Sequence, residues 1–459
     1  MGAKIDYAHR DDHRDRSRRR EPARAATPSR RRHGRRRLRG RPRRRRPGED
    51  RAPAPAAQLR RLRHGRLADL ERLLHRRRHR LHGHAHRGGR PAPAPRPRGG
   101  EGPRRRHGVG AGRVHRAGRH GLAAEHPRPA APRRLGLGAD GIDTLVGCEL
   151  EFTLFDADGT MGGPWSAYGL GPVLADAGSG FLRDLATLAE TTGLPLDQAH
   201  AEYGTRQFEI SLGPTDPLTA ADNVVLARIL IGRAAERHGF RPSFSPLSST
   251  EANAANGAHQ HFSFTRDGAS LFSGGTGPHG IRPEGGAAIA GLLRRLPEFI
   301  GFHAGSLLSG ARLLPGHWSG AHACWGLENR EAAVRFCAAT AGNPHGASVE
   351  LKVVDASANP YLSIAAMLWA AHEGIRDELA LPVEVTGDPA ALPAGAAVPL
   401  LPNEQSEVLA VLGASTAAVD FAGEDIMTAL LAVRGHEVEV YGAASAAALA
   451  ERFRFTWSM

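Results

Sequence analysis

Residues 141–459 are predicted to fold as an α+β domain. Short runs of alternating apolar and polar residues sit beside long segments with helical spacing, and strands and helices do not alternate regularly as a doubly wound parallel sheet would require. At 459 residues the chain is long enough for one large domain or two ordinary ones. Residues 1–140 have a different texture, because all 15 Phe and all 5 Trp lie beyond them. They carry 42 Arg and one Lys against 12 acidic residues, a charge of +31, whereas the remainder has 18 basic and 35 acidic residues, a charge of −17. The overall charge of +14 therefore describes neither part and does not make the whole chain a nucleic-acid binder.

The elements follow in order. Leu145 to Phe155 alternates as a half-buried strand and turns at Asp156-Ala157-Asp158-Gly159. Ala220 to His238 reads as a helix, with Asp216 near its start and His238-Gly239 at its end. Ala288 to Phe302 and Pro360 to Glu378 read as two further helices. Three more short strands are expected around Gln207 to Ile210, His259 to Phe264 and Ser348 to Val353.

The arm of residues 1–140 is too poor in large apolar groups to offset its ordering entropy, so it is expected to be largely disordered. The arginine run Arg43 to Arg46 and the proline repeat from Pro91 to Pro95 add repulsion and extension. Three origins compete for it: a basic tail for nucleic acid or acidic surfaces, which lacks aromatic residues for base stacking; a solvated extension; and an out-of-frame reading of GC-rich coding DNA, which the composition favours. No run of about 18 apolar residues and no signal-peptide core occurs, so no membrane partner is expected and the cytoplasm is the expected location. Three cysteines without CxxC spacing suggest neither a disulfide framework nor a zinc site.

Chemistry enters through side chains that share strand faces. Successive strand residues point to opposite faces, so Glu149 and Glu151 lie together while Leu150 and Phe152 face the other way. Glu202 and Glu209 bracket a turn at Gly204, His259, His261 and Ser263 share one face, and Ser348, Glu350 and Lys352 share another. Packed glutamates repel unless cations neutralise them, and five Glu with one His suit Mg²⁺ or Mn²⁺ better than zinc. Arg312, Arg330 and Arg335 add forked guanidinium groups that match carboxylate and phosphate oxygens.

These residues occur in ordered motifs: Gly147-Cys148-Glu149-Leu150-Glu151-Phe152; Glu202 with Gln207-Phe208-Glu209-Ile210; Asn256-Gly257-Ala258-His259-Gln260-His261; Arg312-Leu313-Leu314-Pro315-Gly316; Asn329-Arg330; and Glu350 ahead of Ala358-Asn359-Pro360-Tyr361-Leu362. Across roughly 141–459 the chain resembles the glutamine synthetase family. The resemblance implies an antiparallel sheet wrapped by helices, ATP and two or more divalent cations as cofactors, and a homo-oligomeric ring. It implies that Glu151, Glu202 and Glu209 hold one cation and Glu149, His259 and Glu350 the other. His261, Ser263 and Arg335 would bind the nucleotide, and Arg330 and Arg335 would neutralise the transferring phosphoryl group. Asn256, Gly257, Arg312, Trp318 and Lys352 would contact the substrates, with Arg312 on the glutamate carboxylate. The implied reaction activates glutamate as γ-glutamyl phosphate and lets ammonia or another amine displace phosphate.

The departures carry information. Where glutamine synthetases proper have Pro-Gly-Tyr-Glu, this chain has Pro315-Gly316-His317-Trp318, and an indole cannot accept a proton from ammonium. Trp318 suits a larger amine, which resembles the branch that attaches glutamate to polyamines or other amines. Ser348 and Lys352 stand where arginines are common, and no counterpart of the family's β-grasp domain is recognisable in residues 1–140. An inactive ATP- or glutamate-binding member with a basic arm is the competing reading.

Overall fold

The computed structural model describes residues 136–457, apart from 163–164, 172–175, 251–254, 342 and 344. The readings made for the basic arm lie outside these residues. The folded part extends upstream of the expected boundary at 140/141: Leu137 is buried, and Asp140 accepts a hydrogen bond from the His372 ring at 2.6 Å.

The centre is one sheet built from β1 (Ile142–Asp156), β2 (Leu196–Ala201), β3 (Gln207–Thr215), β4 (Phe240–Ser243), β5 (Gln260–Arg266), β6 (Ala269–Ser270), β7 (His322–Leu327), β8 (Ala332–Cys337) and β9 (Ser348–Leu351). Its order is β2-β3-β1-β5-β9-β8-β7, with β4 pairing β1 and β6 pairing β5. The long strand β1 alternates as its sequence predicts: Val146, Cys148, Leu150 and Phe152 are buried, while Glu149 and Glu151 keep partial access to solvent.

The expectation of an antiparallel sheet needs correction, because β7 and β8 pair in parallel and the sheet is mixed. Parallel neighbours ordinarily need a crossover of a dozen or more residues. Here the return takes only 328–331, starting with Glu328 in the left-handed region at φ 50°, and no apolar pattern announces so short a return. On its outer side β7 is covered by the segment 385–400, which runs between the helix Pro360–Arg376 and the helix Gln405–Ala414. Val385 N–H donates to Trp325 C=O, Ala323 N–H to Pro399 C=O, and His322 bridges Leu400.

The helices in chain order are α1 (Asp176–Thr192), α2 (Pro217–Arg237), α3 (Pro283–His303), α4 (Ser309–Arg312), α5 (Pro360–Arg376), α6 (Gln405–Ala414), α7 (Thr416–Ala422), α8 (Glu424–Tyr441) and α9 (Ala446–Phe453). Helix α2 begins where Asp216 caps the Thr219 N–H, with proline in the first turn, and α5 begins where Asn359 accepts from Tyr361 and Leu362. Helix α3 starts five residues before the expected Ala288, because Pro283 and Glu284 make a good first turn and Gly285-Gly286 masks the helical pattern. Helices α3 and α5 cross in near backbone contact: a Cβ on Gly291 would lie 2.3 Å from the Ala370 oxygen, and one on Gly374 would lie 2.1 Å from the Ala287 oxygen. The helices and the apolar face of the sheet form one continuous core. No described helix is long and apolar enough to cross a membrane, and the three cysteines are free and buried.

Candidate active site

Strand register assembles the acidic face. Glu151 lies directly opposite Glu209 across β1 and β3, and Glu209 lies opposite His200 across β3 and β2. On the other side, His261 of β5 faces Glu350 of β9, which in turn faces Arg335 of β8. Like charges directly opposite on a sheet are destabilising, so the Glu151–Glu209 pairing is not explained by the fold's own stability.

The side chains converge. His259 Nδ1 is 3.0 Å from Glu149 Oε2 and 3.4 Å from Glu350 Oε1, and its Nε2 is 3.8 Å from Glu151 Oε1. His200 Nε2 is 2.9 Å from Glu202 Oε1 and 3.6 Å from Glu209 Oε1. Three groups have ligand atoms within 4.8 Å of one another: Glu149 with His259 and Glu350, Glu151 with Glu209 and His259, and His200 with Glu202 and Glu209. The first is the trio expected for one cation. The other expected trio is divided between the last two groups, which share Glu209.

Electrostatics report the crowding. Burial, and then the charges of Glu149, Glu151, Glu202 and Glu350, push the Glu209 carboxyl well above the usual range. Burial works in the same direction on Glu149, but the charges and hydrogen bonds of His261 and His259 override it and hold that carboxyl well below its ordinary value. Glu350 comes down to about 2, as Lys352, His259 and His261 outweigh burial. The buried His261 Nε2 has no hydrogen-bond partner of good geometry and lies 3.4 Å from Glu149 Oε1. Stacked carboxylates, an unsatisfied imidazole nitrogen and an oxygen-rich donor set fit a hard divalent cation such as Mg²⁺ or Mn²⁺.

Other predicted residues fall in several places. Arg335 Nη1 donates to Glu350 Oε2 at 3.2 Å, and its Nε to Glu328 Oε2 at 2.9 Å. Arg330 is exposed and places its guanidinium 5.8 Å from the centre of the Trp318 ring, and Trp318 is itself half-exposed. Ser263 lies on β5 beyond His261. Lys352 is buried, with Nζ 3.4 Å from Glu350 Oε1. Arg312 is also buried; it donates to the carbonyls of Val353 and Lys352 and sits 3.2 Å from His259 Nε2. Asn256 turns into the protein, where its amide joins Thr153, Gln207, Ser243 and Ser245. The Gly257 N–H donates to Glu151 Oε2 at 2.8 Å, and a Cβ there would meet the His259 and Arg312 side chains.

Sequence reasoning missed four contributors. Gln207 Nε2 donates to Glu151 Oε2 at 3.0 Å. His200 precedes Glu202 by one strand period, a signal that was available. Tyr168 sits at the mouth, where burial and the charges of Glu202 and Glu151, against Arg330, push its hydroxyl up to about 12. Glu331 accepts from the loop amides of Gly316 and Trp318. The last two are far from the acidic residues in sequence and carry no local pattern.

A mixed sheet with helices against one face therefore gathers acids, imidazoles and arginines on the other, and that face is the candidate site. Residues 124–452 match the description "Glutamine synthetase, catalytic domain", and the chain belongs to the glutamine synthetase family. A gamma-glutamylpolyamine synthetase (GlnA3) of Streptomyces coelicolor is 40% identical over 256 residues, covering 55% of each chain. A glutamine synthetase of Clostridium saccharobutylicum is 32% identical over 251 residues, covering 53% of this chain and 55% of that one. The chain thus spans about half the length of these curated relatives. The crystal structure of a novel glutamine synthase homolog superposes with a TM-score of 0.62 at 30% identity, covering 72% of this chain and 75% of the other.

Proposed function

We propose that the protein is an ATP-dependent carboxylate–amine ligase that forms a γ-glutamyl amide, with an organic amine such as a polyamine preferred to ammonia. The observation that carries this reading is the meeting of Glu149, Glu151, Glu209, His259 and Glu350 around closely spaced donor atoms, with Arg335 beside Glu350. Glu151, Glu202 and Glu209 would hold one divalent cation, and Glu149, His259 and Glu350 the other. Bound there, such cations would neutralise the repulsion between glutamate and ATP and polarise phosphoryl oxygens.

The chain's own groups account for the remaining chemistry. Arg330 and Arg335 neutralise charge on the transferring phosphoryl group, and His261 and Ser263 lie beside the nucleotide. Arg312, held by the Lys352 and Val353 carbonyls, presents its guanidinium to the glutamate carboxylate. A carboxylate is a poor electrophile; phosphorylation by ATP supplies a leaving group, and amine attack then releases phosphate. Trp318, standing where glutamine synthetases proper have a loop glutamate, supports an amine larger than ammonium, and so does the similarity to a gamma-glutamylpolyamine synthetase. A homo-oligomeric ring and a cytoplasmic setting are part of the same reading. Phosphate release and γ-glutamyl product are to be measured with ammonium, putrescine and ethanolamine. Preference for putrescine or ethanolamine is the expected result, preference for ammonium removes the role given to Trp318, and ATP binding without phosphate release with any amine favours a non-catalytic member.

A further inference from the structure

We propose that Glu331 is a positioning residue that locks the 315–318 loop and so fixes the spacing between the Trp318 indole, on the amine side of the site, and the Arg330 guanidinium, on the phosphoryl side. This inference rests on the ligase reading and deepens it. Glu331 is only 8% exposed, and its two carboxylate oxygens divide between two loop amides, Gly316 N–H at 3.3 Å on Oε2 and Trp318 N–H at 3.2 Å on Oε1. Those amides belong to a turn with unusual backbone: Gly316 has φ 81° and Trp318 has φ 53°, a left-handed conformation that a bulky residue adopts only when its surroundings enforce it.

The clasp is itself anchored. Glu331 N–H donates to Asn329 Oδ1, and the Asn329 amide donates to the Val385 and Gly387 carbonyls of the segment covering β7. Beyond the loop, Gly320 passes so close to β8 that a Cβ would lie 2.9 Å from Ala333 Cα. Arg330, the residue next to Glu331, faces the Trp318 ring. The carboxylate therefore fixes the loop backbone while its chain neighbour meets the loop's indole, and the spacing of the two groups at the mouth is set by one side chain.

The test uses Glu331→Ala and Glu331→Gln in the full chain. KM for putrescine and for ATP, kcat, and acrylamide quenching of Trp318 fluorescence, isolated by subtraction of a Trp318→Phe variant, are to be measured. Glu331→Ala is expected to raise the putrescine KM about tenfold, the scale of one lost charge-assisted hydrogen bond, to leave the ATP KM within about twofold, and to increase Trp318 quenching. Glu331→Gln, which keeps one acceptor oxygen, falls between and answers the question if the alanine variant does not fold. Unchanged quenching with an unchanged putrescine KM overturns the proposal, as does a parallel rise in both KM values. If the wild type turns over no amine, the ligase reading fails, and the quenching comparison still decides whether Glu331 holds the loop.

Discussion

The α3–α5 crossing is fully buried and the acidic face of the sheet only partly so, and they use burial in opposite ways. At the crossing, Gly291 and Gly374 let two backbones approach until no Cβ would fit, so burial becomes dense packing. On the acidic face, His259, His261, Lys352 and Arg335 offset the charges of Glu149 and Glu350, while Glu209 is left against burial and its acidic neighbours. The contrast teaches that one region turns burial into stability while the other keeps one carboxyl, Glu209, in surroundings that disfavour its charge.

Four experiments break or sharpen that contrast. The largest effect is expected from Glu151→Ala, which removes an anionic donor and should lower phosphate release at least about 10³-fold while weakening Mn²⁺ binding measured by calorimetry; wild-type release would contradict its place in the site. Gly374→Ala forces a methyl group against the Ala287 carbonyl and should cost about 3 kcal/mol in urea unfolding. An unchanged midpoint would mean the crossing is not close-packed.

His303, at the end of α3, is fully buried, and its Nδ1 lies 2.8 Å from Ser363 Oγ. Burial brings its pKa down to about 3. The folded state favours the neutral ring, so its contribution is intact above the unfolded pKa of about 6.5 and falls by about 1.4 kcal/mol per pH unit below it, until the folded pKa is reached. His303→Asn should remove that slope from the pH dependence of the urea midpoint, and an identical slope would exclude His303 as its source. The smallest effect is expected from Glu209→Gln, which relieves like-charge crowding and should stabilise the metal-free protein by about 1 kcal/mol at neutral pH. Destabilisation there would show that the acids are already neutralised from within.

Much of the site was legible because strand alternation is simple: Glu149 and Glu151 had to share a face, and so did His259 and His261. Helices α2, α3 and α5 were legible from capping residues and apolar spacing, within a few residues at their ends. Strand β2 was not, because Leu196–Ala201 has no alternating apolar set, and its omission hid His200. Helices α6 and α8 were hidden because apolar and polar residues are spread around them and give little contrast between faces, and α7 and α9 because they run for only 7 and 8 residues. The inward turn of Arg312 depends on the carbonyls of Lys352 and Val353, forty residues away, which local pattern cannot reveal.

The segment lying along β7 has a consequence for handling the protein. A sheet margin with unpaired amides and carbonyls is a template on which another polypeptide can add a strand, and here residues 385 and 399–400 occupy it. Proteolytic nicking between 388 and 396 would release that cover and turn a sealed border into a seed for intermolecular aggregation, while the glutamate cluster, which comes no nearer than β9, stayed chemically intact.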